Sequence, residues 1–159
     1  MIGVLMVCTG NICRSPMAEG VLRRYVQEMG LSDKIRVDSA GTTDYHQGEA
    51  PDRRAQATVL QRGVDISGLQ ARQVLAADFD TFDYLLAMDQ SHVLYLQKLC
   101  SDPAQAEKLH LFADFAHNND EREIDDPYYG GQEGFERVLE LVEDASAGLL
   151  AHIRRQHRL

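Results

Sequence analysis

The chain has 159 residues, of which 44% are hydrophobic and 26% are charged. This length and composition are typical of one globular domain, here residues 1–159, and they exclude a disordered, collagenous or fibrous chain. The net charge is -9, yet residues 1–37 hold five basic and only three acidic side chains. Because a nucleic-acid binder needs a basic stripe and this chain has none, we expect no nucleic-acid partner. The slightly positive segment 1–37 is instead suited to binding a small anion.

The apolar runs and the cysteines indicate the cellular setting. No apolar run approaches the roughly 20 residues of a membrane helix, so we expect no membrane insertion. The apolar start at residues 1–8 lacks the basic flank and the length of a secretory segment. Three cysteines, an odd number, indicate reduced thiols rather than a disulfide framework. Together these features predict a cytoplasmic protein.

The first predicted elements are a strand and a helix on either side of a loop. The almost uninterrupted apolar run Ile2–Val7 predicts a strand that is buried on both faces. After the loop at residues 8–15, Pro16 suits the first turn of a helix, with Ser15 as its cap. Gly30 is expected to end this helix.

Strands and helices alternate along the rest of the chain. The predicted elements are strands at residues 35–39, 84–88 and 108–112, helices at about 52–62 and 91–99, a short extended piece at 64–66, an acidic loop at 113–131 and a last helix that includes residues 135–153. This alternation indicates right-handed crossovers and a parallel sheet covered on both faces, which is an α/β fold. Since such sheets carry their sites at the carboxyl ends of the strands, the loop after the first strand and the acidic loop should lie on one edge.

The loop Cys8–Ser15 has a cysteine, five further residues, an arginine and a hydroxyl. The free amides of a helix start and of a tight, glycine-containing loop form a concave anion site, and Arg14 can grip two phosphate oxygens. The same positive field should lower the pKa of Cys8 below its free value of roughly 8.5, while Ser15 can donate a hydrogen bond to the thiolate. The residues expected to bind phosphate are Thr9, Gly10, Asn11, Ile12, Cys13, Arg14 and Ser15.

The three cysteines receive different interpretations. A cysteine at a strand end is usually a small buried hydrophobe, but Arg14 six positions later and the helix start favour Cys8 as a nucleophile. Cys13 lies five residues from Cys8, so a redox role for the pair and an inert Cys13 are both open. Cys100 is assigned no role.

The acidic loop offers the acid that a phosphocysteine mechanism needs. Asp126 is the candidate, because Pro127 favours an extended backbone before it and so can hold its side chain over the cleft. The alternative is that Asp125 and Asp126 are merely solvated acids. Tyr128 and Tyr129 either wall a slot for an aromatic ring or pack under the loop. No histidines or cysteines have metal-ligand spacing, so we expect no metal and no cofactor.

The chain resembles a low-molecular-weight protein tyrosine phosphatase. The segments that carry the resemblance are Val7–Glu19, Asp38–Thr42, Gly48, Pro51, Ala71–Arg72, Asp78–Phe79, Met88–Asp89 and Asp126–Gly130. The resemblance implies a three-layer α/β/α fold with a central four-stranded parallel sheet and a phosphate-binding loop after the first strand. It also implies Cys8 as nucleophile, Arg14 as phosphate ligand and Asp126 as general acid and base.

The resemblance extends to the residues that shape the loop, with one departure. Asn11 resembles an asparagine that bonds within the loop rather than to substrate, and Ser39 resembles a serine close to it. Where many members carry a histidine, this chain has Leu69. That departure puts the network around Asn11 in question.

Three other functions compete with a phosphotyrosine phosphatase. Thiol-dependent arsenate reductases resemble the chain at the first loop but need two further cysteines in mid-chain, and only Cys100 is available. Protein arginine phosphatases typically carry threonine where this chain has Ile12, and the pair Tyr128 and Tyr129 favours an aryl substrate. A phosphate-binding module without chemistry would have lost Cys8 or Asp126. We therefore expect a monomer or weak dimer that acts on phosphotyrosine-containing proteins, with Ile12, Tyr128 and Tyr129 in the substrate cleft.

Overall fold

Strands and helices alternate along the chain in this computed structural model, which describes all of residues 1–159. The strands are β1 (Ile2–Cys8), β2 (Ile35–Gly41), β3 (Tyr84–Ala87) and β4 (Leu109–Leu111). The α-helices are α1 (Arg14–Glu28), α2 (Arg53–Leu60), α3 (Asp78–Thr81), α4 (Gln90–Leu99), α5 (Pro103–Ala106) and α6 (Gln132–His157). A short 3-10 helix follows β4 at Phe112–Phe115.

The four strands form one parallel sheet in the order β2-β1-β3-β4. Alternate residues of β1 enter two separate apolar cores, with Val4 and Met6 in one and Leu5 and Val7 in the other. The larger core includes side chains of α1, α2 and α6, and the smaller one includes side chains of α3 and α4. The sheet is therefore covered on both faces, which confirms the three-layer α/β/α fold with a central four-stranded parallel sheet.

One predicted detail of the local structure is wrong, and one predicted extended piece packs outside the sheet. Ser15 does not cap α1, because the helix already begins at Arg14 and the Ser15 hydroxyl contacts other side chains of the loop. The extended piece predicted at residues 64–66 joins no strand of the sheet, and its Val64 and Ile66 side chains are buried. Their side chains pack against α1 at Gly20, where an added methyl carbon would lie within 3.0 Å of both. Apolar packing against a helix, rather than sheet pairing, explains the apolar pattern there.

The carboxyl ends of the strands bring the two predicted loops together. Cys8 is the last residue of β1 and opens the loop that leads to α1. The acidic loop is tied to the end of β3, where the Ile124 N–H donates to the Met88 carbonyl at 2.8 Å. No helix is both long enough and apolar enough to cross a membrane.

Candidate active site

A cavity of about 250 Å³ lies at the carboxyl end of β1, between the two loops. Its lining residues are Cys8, Thr9, Gly10, Ile12, Cys13, Arg14, Tyr45, His46, Asp126, Tyr128 and Tyr129. The cavity therefore brings Cys8, Arg14 and Asp126 together, as the sequence predicts. Tyr45 and His46 come from the loop after β2 and were not predicted as part of the site.

The backbone of the loop Cys8–Ser15, the phosphate loop, is arranged to receive an anion. The N–H groups of residues 9–13 donate to no other group of the protein. Asn11 has a positive φ of 58°, a left-handed conformation that asparagine adopts more readily than most residues. Successive amides around such a turn, followed by the N-terminus of the 15-residue α1, form a concave anion site.

The Asn11 side chain holds this loop in shape from behind. Its Nδ2 donates to Ser15 Oγ at 2.7 Å and to Ser39 Oγ at 3.0 Å, and its Oδ1 accepts from the Arg72 N–H at 3.0 Å. Ser39 in turn donates to Glu19 at 2.6 Å, a carboxylate whose pKa is raised by burial. Asn11 is only 3% exposed, so its side chain is used within the protein rather than on a ligand.

Cys8 lies at the bottom of the cavity beside a hydroxyl group. Its side chain is 2% exposed, and its Sγ lies 3.0 Å from Ser15 Oγ. Because Ser15 Oγ accepts a hydrogen from Asn11, its own proton is free for donation. The available acceptors are the Cys8 sulfur and the Ala40 carbonyl, which is more distant at 3.4 Å. Ser15 Oγ is therefore placed to donate a hydrogen bond to the Cys8 sulfur.

The Arg14 guanidinium is fixed on one side and faces the cavity on the other. Its Nη1 donates to Asp89 at 2.7 Å and to the Ile124 carbonyl at 3.0 Å. Its Nη2 lies 3.4 Å from Thr9 Oγ1 and 3.7 Å from Asp126 Oδ2. The ion pair with Asp89 therefore orients the side chain and leaves Nη2 for an anion in the cavity.

His92 supports the phosphate loop through Thr9. The Asp89 N–H donates to His92 Nδ1 at 3.2 Å, so that nitrogen is an acceptor and the ring proton lies on Nε2. Nε2 is 2.8 Å from Thr9 Oγ1 and donates to it. Burial lowers the pKa of His92 to about 4; nearby Arg14 lowers it further, while Asp89 acts in the opposite direction. The imidazole is therefore neutral at physiological pH.

The Asp126 carboxylate lies at the edge of the cavity. Its Oδ1 accepts from the Tyr128 N–H at 3.0 Å, within a turn of its own loop. The side chain is 45% exposed, so Asp126 can reach both solvent and the cavity. Asp125 is exposed and does not line the cavity. Of the two adjacent acids, only Asp126 therefore lines the cavity.

The two adjacent tyrosines form one wall rather than two. Their ring centroids are 4.9 Å apart with an interplanar angle of 78°, an edge-to-face contact. The expected slot between Tyr128 and Tyr129 is therefore wrong, because a third ring does not fit between rings already in contact. Packing under the loop is wrong as well, since Tyr128 is 38% and Tyr129 is 92% exposed.

All three cysteines are free thiols. Cys13 is buried, and burial raises the pKa of its thiol, with Asp52 and Cys8 adding to the effect. Cys100 packs against the smaller core, away from the cavity. No group of three or more histidine, cysteine or acidic residues could hold a metal ion.

Comparison with known proteins identifies the family. The family model of the low molecular weight phosphotyrosine protein phosphatase matches residues 3–159. A putative low molecular weight protein-tyrosine-phosphatase of Synechocystis sp. is 44% identical over 155 residues, which are 96% of this chain and 97% of that protein. The chain belongs to the low molecular weight phosphotyrosine protein phosphatase family. With that family it is a hydrolase.

Solved structures of the family superpose closely on this phosphatase. A protein tyrosine phosphatase from Entamoeba histolytica gives a TM-score of 0.94 at 37% identity and covers 100% of both chains. An arginine phosphatase from Drosophila gives a TM-score of 0.88 at 33% identity, covering 95% of this chain and 97% of that chain. Proteins with this fold are thus named for two different substrates, tyrosine and arginine.

Leu69, which stands where the resemblance leads one to expect a histidine, leaves the network around Asn11 intact. Leu69 packs against the larger apolar core, and both ends of the Asn11 amide are still hydrogen-bonded. Asp89 and His92 were missed as parts of the site. Asp89 could have been found, because it follows β3 at the carboxyl edge where parallel sheets carry their sites.

Proposed function

We propose that this phosphatase hydrolyses phosphotyrosine in proteins through a phosphocysteine intermediate on Cys8. Arg14 and the loop amides bind the phosphate, and Asp126 acts first as general acid and then as general base. The observation that carries the proposal is the single cavity lined by Cys8 at its bottom, Arg14 at its side and Asp126 at its edge. Nucleophile, anion site and acid then face one phosphate from different directions.

In the first step the Cys8 sulfur attacks phosphorus as the bond from phosphorus to the ester oxygen breaks. Asp126 gives its proton to the departing phenol oxygen, so the leaving group is a neutral tyrosine. The phosphoryl oxygens are held by the N–H groups of residues 9–13 and by Arg14 Nη2. Because these donors are fixed before the substrate arrives, they stabilise the charge of the transition state without reorganising.

In the second step water attacks the phosphocysteine. Asp126, now a carboxylate, accepts a proton from the water as the new bond to phosphorus forms. The bond between sulfur and phosphorus breaks, and the electron pair returns to Cys8 as a thiolate. Ser15, 3.0 Å from Sγ, donates a hydrogen bond to that leaving thiolate. Inorganic phosphate then leaves, and Asp126 exchanges its proton with solvent through its exposed side.

The depth of the cavity supports phosphotyrosine as the substrate. With Cys8 only 2% exposed, phosphorus reaches the sulfur only when a long side chain carries it inward. A phenol ring has that length and can pack against the apolar and aromatic residues Ile12, Tyr45 and Tyr128, which line the cavity. Phosphoserine is too short to bring its phosphorus past this wall.

Phosphoarginine is the alternative substrate, because the Drosophila arginine phosphatase has a closely similar structure. Phosphoarginine is long enough for the cavity but carries a planar, polar guanidino group. Ile12 presents a branched apolar side chain to that group and offers it no hydrogen bond. This residue therefore favours the aryl substrate.

We further propose that the protein acts in the cytoplasm as a single-domain monomer or weak dimer on phosphotyrosine-containing proteins. Three free thiols suit a reducing compartment. No metal or other cofactor is required, since the loop amides and Arg14 supply the positive charge that the phosphate needs.

The test is a hydrolysis panel of matched peptides that carry phosphotyrosine, phosphoserine or phosphoarginine, assayed with a chelator and no added metal. We expect phosphotyrosine to be cleaved with the highest kcat/KM and the chelator to have no effect. A higher kcat/KM for phosphoarginine would overturn the tyrosine assignment. Hydrolysis that depends on added metal would overturn the cysteine mechanism.

A further inference from the structure

Arg54, in the first turn of α2, contacts the loop that carries Asp126. Its guanidinium carbon lies 5.4 Å from the ring centroid of Tyr128 and 4.7 Å from that of Phe135 in α6. Both distances fall within the range of a cation–π contact. Arg54 therefore packs one loop residue of the cavity wall and one residue of the following helix against α2.

The guanidinium is held in place from its other side by Asp52. Arg54 Nε lies 3.1 Å from Asp52 Oδ1 and Nη2 lies 3.0 Å from Oδ2, a two-point ion pair. Asp52 is also the N-cap of α2 and accepts from the Arg54 N–H at 2.8 Å. These bonds restrict the arginine to the orientation that faces Tyr128.

Asp52 is itself attached to the phosphate loop. Its N–H donates to the Ile12 carbonyl at 2.8 Å. A continuous connection thus runs from Ile12 through Asp52 and Arg54 to Tyr128. It joins the loop that is proposed to bind phosphate to the loop that is proposed to supply the acid.

Residues 125–131 of the acidic loop have few other polar attachments, and Pro127 is the one buried residue among them. The hydrogen bonds of these residues are local, such as that from the Tyr128 N–H to Asp126 and that from the Gly130 N–H to the Pro127 carbonyl. The ion pair that reaches outward from Asp126 is the long one to Arg14, at 3.7 Å. The contact between Arg54 and Tyr128 therefore holds the middle of this segment beside the buried Pro127.

We propose that Arg54 is a positioning residue, which holds Tyr128 and thereby sets the placement of Asp126 over the phosphate site. The inference rests on the proposed function, in which Asp126 protonates the leaving group. Tyr128 donates its N–H to the Asp126 carboxylate, so a shift of Tyr128 moves that carboxylate directly. Proton transfer requires close approach and alignment, and a small displacement lowers its rate strongly.

The test compares two aryl phosphates with Arg54→Ala, Arg54→Lys and the control Arg53→Ala. Arg53 is the neighbouring exposed arginine and has no ion pair. Phenyl phosphate has a leaving group that needs a proton, whereas dinitrophenyl phosphate has one that leaves without it. We expect Arg54→Ala to lower kcat/KM for phenyl phosphate by roughly 10- to 100-fold and for dinitrophenyl phosphate by less than about threefold. Arg54→Lys should fall between wild type and Arg54→Ala, and Arg53→Ala should match wild type.

Asp126→Ala and the double variant Asp126→Ala/Arg54→Ala separate this inference from the proposed function. If Arg54 acts through Asp126, its removal should cause little further loss once Asp126 is absent. Equal losses on both substrates in Arg54→Ala, or fully additive losses in the double variant, would refute the role of Arg54 alone. If Asp126→Ala itself shows no dependence on the leaving group, the assignment of the acid fails and the role of Arg54 fails with it.

Discussion

The Arg14 guanidinium and the Asp126 carboxylate approach each other to 3.7 Å across the mouth of the cavity. Arg14 is the first residue of α1, whereas Asp126 lies in the acidic loop after β4. Their proximity places the proposed anion ligand and the proposed proton donor side by side in the cavity that Cys8 also lines. Because Arg14 is also bonded to Asp89 and the Ile124 carbonyl, the ends of β1 and β3 are fixed relative to the acid loop.

Replacing Asp126 and Asp125 in turn should show which of the two adjacent acids takes part in catalysis. We expect Asp126→Ala to lower kcat/KM for phosphotyrosine peptides by roughly 10²- to 10⁴-fold, the usual contribution of a positioned acid. Asp125→Ala should have little effect, since Asp125 is exposed and outside the cavity. Steady-state kinetics of both variants check this. A large loss in Asp125→Ala with an active Asp126→Ala would reverse the assignment.

His92 should make the stability of the protein depend on acid pH. Burial lowers the pKa of His92 to about 4 in the native state, whereas the unfolded state keeps an ordinary value of about 6.5. Between these values the unfolded state binds more protons, so the free energy of unfolding falls as the pH falls from 6.5 to 4. The full effect is about 3 kcal/mol.

Denaturant unfolding at several pH values measures this dependence in wild type and in His92→Asn. The variant should show a shallower decline over the same pH range. His110 and His152, whose pKa values are also lowered by burial, titrate in both proteins and so serve as an internal control. Identical slopes in the two proteins would show that His92 does not titrate as proposed.

Mild peroxide should inactivate the enzyme reversibly. Peroxide oxidises the Cys8 sulfur to a sulfenic acid, and attack by the Cys13 sulfur then forms a disulfide and releases water. Since burial raises the pKa of Cys13, formation of this disulfide should become faster as the pH rises. Cys13→Ser should lose activity irreversibly at the same peroxide dose. Equal recovery by thiol in both proteins would argue against a protective pair.

Ile12 should influence the choice between phosphotyrosine and phosphoarginine. We expect Ile12→Thr to raise the ratio of kcat/KM for phosphoarginine over phosphotyrosine peptides, because a hydroxyl can orient the guanidino group and the apolar contact with the phenol is lost. Ile12→Val is the matched control, since it keeps an apolar branched side chain. An unchanged ratio in Ile12→Thr would exclude this residue as the determinant.

The fold and the chemical centre could be predicted from sequence because their signals are local. Each signal lies within a short stretch of sequence: the apolar run Ile2–Val7, the spacing of Cys8 and Arg14, and the placement of Asp126 before a proline. The alternation of strands and helices then places both loops on one edge of the sheet, which the structure confirms.

The parts that were missed depend on contacts between distant segments. Arg54 meets Tyr128, and His92 meets Thr9 across 83 positions, without any pattern that links them along the chain. The slot between Tyr128 and Tyr129 was predicted wrongly for a similar reason. Adjacent aromatic residues in a turn can face apart or touch, and only the loop conformation decides that they touch here.

The central claim is a covalent phosphocysteine on Cys8, and trapping it is the most direct measurement. An aryl phosphate labelled in its phosphoryl group is mixed with the enzyme, the reaction is quenched within one turnover, and the label is located by peptide mapping. We predict label on the peptide that contains Cys8 in wild type and none in Cys8→Ser, which should still bind phosphate or vanadate through Arg14 and the loop amides. Label on another residue, or turnover by Cys8→Ser above about 1% of wild type, far more than loss of a nucleophile allows, would contradict the mechanism.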